Sequence, residues 1–164
     1  MRAKSSAPLD AKDVRILEIV QTQGRISKKA LADAIGLSLT PCFERLRRLE
    51  REGFIESYRG VIDAKRMGTF VWVHVEVTLA RHRSTDFARF EAAITLLPEV
   101  LSCDAVGGGI DYVLLMVCRD VAHYQQLIDE LLGREVGVET YFTYIVTKRV
   151  KDVPVIPLGL LLSR

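Results

Sequence analysis

The stretch SKKALADAIGLSLTPCFERLRRLEREG, Ser27–Gly53, decides the fold of the first third of the chain. Ser27 suits a helix N-cap, because its hydroxyl can accept from a free first-turn amide. Ala30, Leu31, Ala34 and Ile35 recur at i, i+1, i+4 and i+5, a short buried face. Gly36 ends that helix and Ser38 opens the next, so the connection is about three residues long. Such a tight turn makes two helices cross steeply, which is the helix-turn-helix arrangement.

The third helix is predicted from Leu39 to Glu52, ending at Gly53, with Pro41 in the first turn where no intrahelical amide is lost. On a helical wheel Cys42, Leu46 and Leu49 share one side, with Phe43 at its margin. Thr40, Glu44, Arg47, Arg48 and Arg51 share the other. Arginines there can grip phosphates or bridge guanine O6 and N7, and the helix start points amides at phosphate. On an arbitrary helix this would be a solvated face pairing with Glu44, Glu50 and Glu52. The tight turn and the short helix before it favour a DNA-reading face.

Working outward, Asp10 is a candidate cap for a first helix, with Asp13 near its positive end. Val14, Ile16, Leu17, Ile19 and Val20 form its apolar stripe, and Gly24 is placed to end it in the left-handed conformation. Beyond Gly53, Phe54, Ile55 and Tyr58, then Val61 and Ile62, read as two short strands around Arg59-Gly60. This would be a wing with Arg59 at its tip.

Residues 63–68 read as a linker. Phe70 to Leu79 alternates, with Val71, Val73, Val75, Val77 and Leu79 on one face. Phe87, Phe90, Ile94 and Leu97 make a helical stripe. Leu101 to Val106 and Tyr112 to Cys118 are strands around Gly107-Gly108-Gly109. Asp120 caps a helix burying Tyr124, Leu127, Ile128 and Leu131, and Val138 to Val150 is a last strand. Strand, helix, strand, strand, helix, strand is the ferredoxin-like βαββαβ order. Helices cover one sheet face, so the open face is expected to pair with a second subunit. The fold class is α+β: a winged helix-turn-helix domain (1–62), the linker, a sandwich domain (69–152) and an apolar tail (153–164) that is expected to pack on a neighbouring subunit.

Composition agrees with this division. The 164 residues and 18.4 kDa allow one medium domain or two small ones. Residues 1–60 hold 12 Lys+Arg against 8 Asp+Glu, a charge of +4, and residues 61–164 hold 11 against 13, a charge of −2. A basic first part joined to a slightly acidic second part suggests different partners. No apolar run approaches the roughly 20 residues of a membrane helix, and the N-terminus lacks a signal core, so a cytoplasmic protein is expected. Cys42, Cys103 and Cys118 form no CxxC pair, so neither a disulfide framework nor a zinc site is expected. The scattered His74, His82 and His123 make no catalytic or metal spacing, so neither a catalytic residue nor a cofactor is expected.

Gly24-Arg25-Ile26-Ser27, Gly36-Leu37-Ser38, Thr40-Pro41-Cys42, Arg45-Leu46-Arg47-Arg48-Leu49-Glu50 and Gly53-Phe54-Ile55 together resemble the leucine-responsive/asparagine regulator (Lrp/AsnC, feast/famine) transcription factors. The resemblance runs from Leu9 to about Lys151. It implies a sequence-specific regulator of double-stranded DNA, associated with the nucleoid when bound. It also implies dimers that often assemble into octamers, and an amino acid or related metabolite as effector at a subunit interface. Ser38, Thr40 and Pro41 would set register on DNA; Glu44, Arg47 and Arg48 would read bases; Lys28, Lys29, Arg51 and Arg59 would hold phosphate. The effector loop of the family matches Gly107, Gly108, Gly109, Asp111 and Tyr112, with three glycines where relatives carry Ser-Gly-Asp. Tyr144 matches an effector-response strand. Two alternatives remain on sequence alone: a siroheme-decarboxylase-like enzyme on the same fold, and an effector-independent DNA-packing protein. The basic third helix argues against the first, and footprinting on unrelated DNA separates the second.

Overall fold

The computed structural model describes residues 8–152 and 155–162. In chain order its elements are α1 (Ala11–Thr22), α2 (Lys28–Ile35), α3 (Leu39–Arg51), a 3-10 turn (Ala64–Arg66), β1 (Val71–Leu79), α4 (Ser84–Thr95), β2 (Val100–Ala105), β3 (Tyr112–Cys118), α5 (Val121–Gly133), β4 (Val138–Ile145) and α6 (Leu158–Leu162). Two compact units result. One holds the residues up to Ile62 and those from Asp152 onward; the other is Asp63–Lys151. Among the described residues no helix is long and apolar enough to cross a membrane.

In the first unit the caps dictate where helices start and stop. Asp10 accepts from the Asp13 amide at 2.9 Å while Asp13 accepts from the Asp10 amide at 3.1 Å, a reciprocal capping box. Ser27 accepts from the Ala30 amide at 3.1 Å and so caps α2. Gly36 (φ 64°) and Gly53 (φ 80°) follow α2 and α3 in the left-handed region. There Leu37 N donates to Ala32 O at 3.0 Å and Phe54 N to Leu49 O at 2.9 Å, closing orphan carbonyls as a glycine C-cap does. Gly24, expected to do the same for α1, does not: Gln23 is the C-cap, its amide donating to Ile19 O. Ile16, Leu17, Ile19 and Val20 of α1, Leu31, Ala32 and Ile35 of α2, and Cys42 and Leu49 of α3 form the core.

One expectation for this unit is corrected. The wing strands do not form: residues 54–62 hold no strand. Phe54 and Ile55 donate back to the end of α3, Tyr58 Oη donates to Glu50, and Val61 and Ile62 stand exposed with no opposing strand to bury them. A lone two-stranded ribbon without such cover is marginal in water. The apolar C-terminal segment lies on α1 of its own chain. Gln21 clasps the Ile156 backbone, donating to its carbonyl at 2.9 Å and accepting from its amide at 3.1 Å. Gly159 N donates to Glu18 at 3.2 Å, and Leu158 packs against the core.

The second unit is a four-stranded antiparallel sheet in the order β2-β3-β1-β4, the ferredoxin-like arrangement. Strict alternation sends Val73, Val75, Val77 and Leu79 of β1 and Tyr112, Leu114, Met116 and Cys118 of β3 to the covered face. Phe90 and Ile94 of α4 and Tyr124, Leu127, Ile128 and Leu131 of α5 complete that core. Each large side chain buried there contributes about 1.5–3 kcal/mol. β4 stops at Ile145, short of the Val150 expected from its apolar pattern. The opposite face carries Trp72, His74, Glu76, Val113, Leu115, Phe142 and Tyr144, with Phe142 and Tyr144 half exposed.

Candidate nucleic-acid interface and effector corner

The helix-turn-helix sets α3 on α1 and α2 through Cys42 and Leu49, leaving the other side of α3 to solvent. Ser38 stands at its N-cap but makes no side-chain cap. A helix start of this kind favours phosphate. Thr40, Pro41 and Glu44 are exposed along the first two turns, and Arg47 and Arg51 along the next.

Phe43, at the margin of the buried face, organises the basic groups beside it. Lys28 Nζ of α2 lies 3.7 Å from its ring centroid and Arg47 Cζ 4.5 Å. The ring's negative face holds both cations while leaving their N–H donors free for other acceptors. Among the described residues neither Arg47 nor Arg51 makes an ion pair. Lys29 is exposed on α2, and Arg59 is exposed with Nε donating to Ser57 Oγ at 3.1 Å.

Arg48 is placed differently from the expectation that it reads bases. Its Nη2 lies 2.5 Å from Oδ2 of Asp13, whose side chain is 1% exposed. Arg45, which sequence reasoning passed over, bridges Asp10 at 2.6 Å and Asp13 at 2.9 Å. The signal was present: Asp13 lies three, four and seven residues before Ile16, Leu17 and Val20, on the stripe α1 buries, and a buried carboxylate demands partners. Burial disfavours ionisation of Asp13, but hydrogen bonds from Arg48, the Asp10 amide and Arg45 outweigh it and hold the carboxyl below its usual range. Asp10 is lowered too, first by the Asp13 amide.

These shifts give a sign for pH dependence. A carboxyl with a folded-state pKa below its unfolded value of about 4 stabilises fully above that value and loses the contribution as pH falls through the folded one. The melting temperature of the first unit is therefore expected to fall on acidification from pH 5 to pH 3. Calorimetry should find a shallower fall in Asp10→Asn; an identical slope would remove Asp10 from the titration.

The residues expected to meet an effector occupy four separate places. Gly107, Gly108 and Gly109 form an exposed loop, and a Cβ on any of them would meet open space. The loop is closed by Val106 N donating to Asp111 O at 2.9 Å. Asp111 sits at the corner where the β1–β3 ladder ends. Its Oδ2 accepts the Leu79 amide at 2.7 Å and faces His82 Nε2 at 3.1 Å. His82, also passed over in the sequence, packs its ring on Phe87 at 5.9 Å. Tyr112 does not face the loop. Strand alternation turns it into the core, where its ring lies 4.7 Å from Phe90 and its hydroxyl donates to Glu91 at 2.8 Å. Burial first, then the Glu91 carboxylate, push that phenol well above its ordinary pKa. Tyr144 lies on the open sheet face, donating to Glu76 at 3.1 Å.

Residues 9–56 match the family model for a winged helix-turn-helix DNA-binding domain, and residues 73–156 match that for an Lrp/AsnC ligand binding domain. The chain is 51% identical over 145 residues to the transcriptional regulatory protein DoeX of Halomonas elongata, covering 87% of this chain and 90% of that one. It is 40% identical over 152 residues to the leucine-responsive regulatory protein of Haemophilus influenzae, covering 93% and 92%. Among solved structures, a transcriptional regulator of Neisseria meningitidis in complex with L-Met superposes with TM-score 0.87 at 29% identity, covering 94% of this chain and all of that one.

Proposed function

Since the chain belongs to the Lrp/AsnC family of DNA-binding transcriptional regulators, we propose that an amino acid or related small metabolite, bound by the sandwich unit, sets its affinity for DNA or its state of assembly. The observation that carries this reading is the coupling in one chain of an arginine-bearing α3 to a sheet unit matching a ligand-binding domain; the L-Met complex of the Neisseria relative supports the effector class. An effector shifts such a regulator only if it binds its states unequally.

On DNA, Ser38, Thr40, Pro41 and the start of α3 set the register. Glu44 and Arg47 reach base edges, while Lys28, Lys29, Arg51 and Arg59 hold phosphates. Two copies place their α3 helices in successive major grooves, about 34–36 Å apart. Phe142 and Tyr144, half exposed on the open sheet face beside Trp72, support dimers formed face to face, with octamers as a further step. The effector meets Gly107–Gly109 and Asp111, and a second copy completes a pocket that Tyr112, buried in its own core, does not line. The protein works in the cytoplasm, on the nucleoid.

A thermal-shift screen over the amino acids and their catabolites tests the effector, because selective binding to the native state raises the melting temperature. Asp111→Asn keeps an oxygen for the Leu79 amide but removes the charge that would face an ammonium group. It is expected to raise the effector concentration giving half the response at least tenfold, with DNA binding by the unliganded protein intact. An unchanged titration would remove Asp111 from the site. Haem-like absorbance in the purified protein would favour the tetrapyrrole enzyme, for which the basic α3 has no use.

A further inference from the structure

We propose that Asp13, assisted by Asp10, is a positioning residue that withholds two of the four arginines of α3 from DNA, so that sequence discrimination rests on Arg47. This inference rests on α3 being the DNA-facing helix. Arg45 and Arg48 project from α3 toward the start of α1, where three of the four guanidinium–carboxylate pairs among the unit's described residues converge on Asp10 and Asp13, at 2.5–2.9 Å. Their side chains are 32% and 23% exposed, so both can turn out to solvent if the carboxylates let go. They line an open groove of about 500 Å³ together with Pro8, Pro41 and Glu44. That groove lies beside the first two turns of α3, the part that would meet a groove of DNA.

The physical consequence follows from charge. Sequence-independent affinity for DNA grows with the number of cations that reach phosphates, each released counterion adding to the salt dependence. Four free arginines on one short helix would bind any duplex strongly. Pairing two of them internally lowers that background and leaves Arg47, steadied on Phe43, to report on base edges. A buried ion pair contributes little net stability over an apolar replacement, although removing one partner is costly; the pairing also limits what the two arginines can reach.

Asp13→Asn tests this. The amide keeps the size of the side chain and an oxygen for the capping box, but gives up the charge. Binding is measured between 50 and 200 mM salt on two duplexes, one selected from a random pool for tight binding by the wild type and one of shuffled sequence. The variant is expected to bind the shuffled duplex roughly three- to tenfold more tightly at low salt, with a salt slope steeper by about one to two per protomer. The ratio of selected to shuffled affinity falls. Asp10→Asn, which takes from Arg45 one of its two carboxylate partners and lies on an exposed cap, shifts both quantities the same way by less and decides the matter if Asp13→Asn does not fold. Adding Arg48→Gln to Asp13→Asn returns the slope toward the wild type. A folded Asp13→Asn with unchanged slope and ratio overturns the inference, as does an equal loss of affinity for both duplexes. A wild-type chain that retards neither duplex overturns the DNA-facing reading of α3 itself.

Discussion

Leu49→Ala is expected to destabilise the first unit by about 2–5 kcal/mol, the cost of removing a fully buried leucine and leaving a cavity that collapses only in part. Leu49 is 0% exposed and belongs to α3, packed with Ile16 and Leu17 of α1 and Leu31 of α2. A domain of about 60 residues has only a few kcal/mol in reserve, so a loss at the upper end unfolds it at 37 °C. Each kcal/mol lowers the melting temperature by about 4–8 °C at this size. Calorimetry should show one transition moving down by 10 °C or more while that of the sandwich unit, whose core shares no residue with this one, stays in place. DNA binding is lost with the first transition, and the sandwich still folds. Movement of both transitions together would show that the two units unfold as one.

Arg47→Ala is expected to weaken binding to a selected operator by about 1–3 kcal/mol, roughly 5- to 150-fold, with a much smaller loss on shuffled DNA. Arg47 is exposed, bears on Phe43 at 4.5 Å and makes no ion pair among the described residues, so its donors are free for a base edge. Equal losses on both duplexes would reduce it to a phosphate contact. Arg48→Ala, by contrast, removes a partner from the buried Asp13 carboxylate. Its effect should appear in the stability of the first unit before it appears in sequence preference.

Much of this was legible in the residues. Ser27, Asp10 and Asp120 cap the helices they were expected to cap, since a cap is a contact of an oxygen with an amide three positions away. The stripe of Phe90, Ile94 and Leu97 and the alternation of Val73, Val75 and Val77 are buried as their periods imply. What was not legible depends on partners far along the chain. Arg48 faces outward on a wheel of α3 alone, and only the docking of α1 brings Asp13 within reach. Val61 and Ile62 have strand-forming side chains, but a strand needs another strand beside it. The docking of the C-terminal segment on α1 could not be read, because its clasp, Gln21, lies 135 residues earlier.

The order of elements, their caps and the faces they bury were therefore decided locally, by hydrogen bonds a few residues long and by the periods of 3.6 and 2 at which apolar side chains return. Which arginines stay free, where Tyr112 points relative to the loop beside it, and what covers the end of the chain were decided only by tertiary structure. Charge pairing and burial act between side chains that folding brings together, and their strength depends on how much water is left between them.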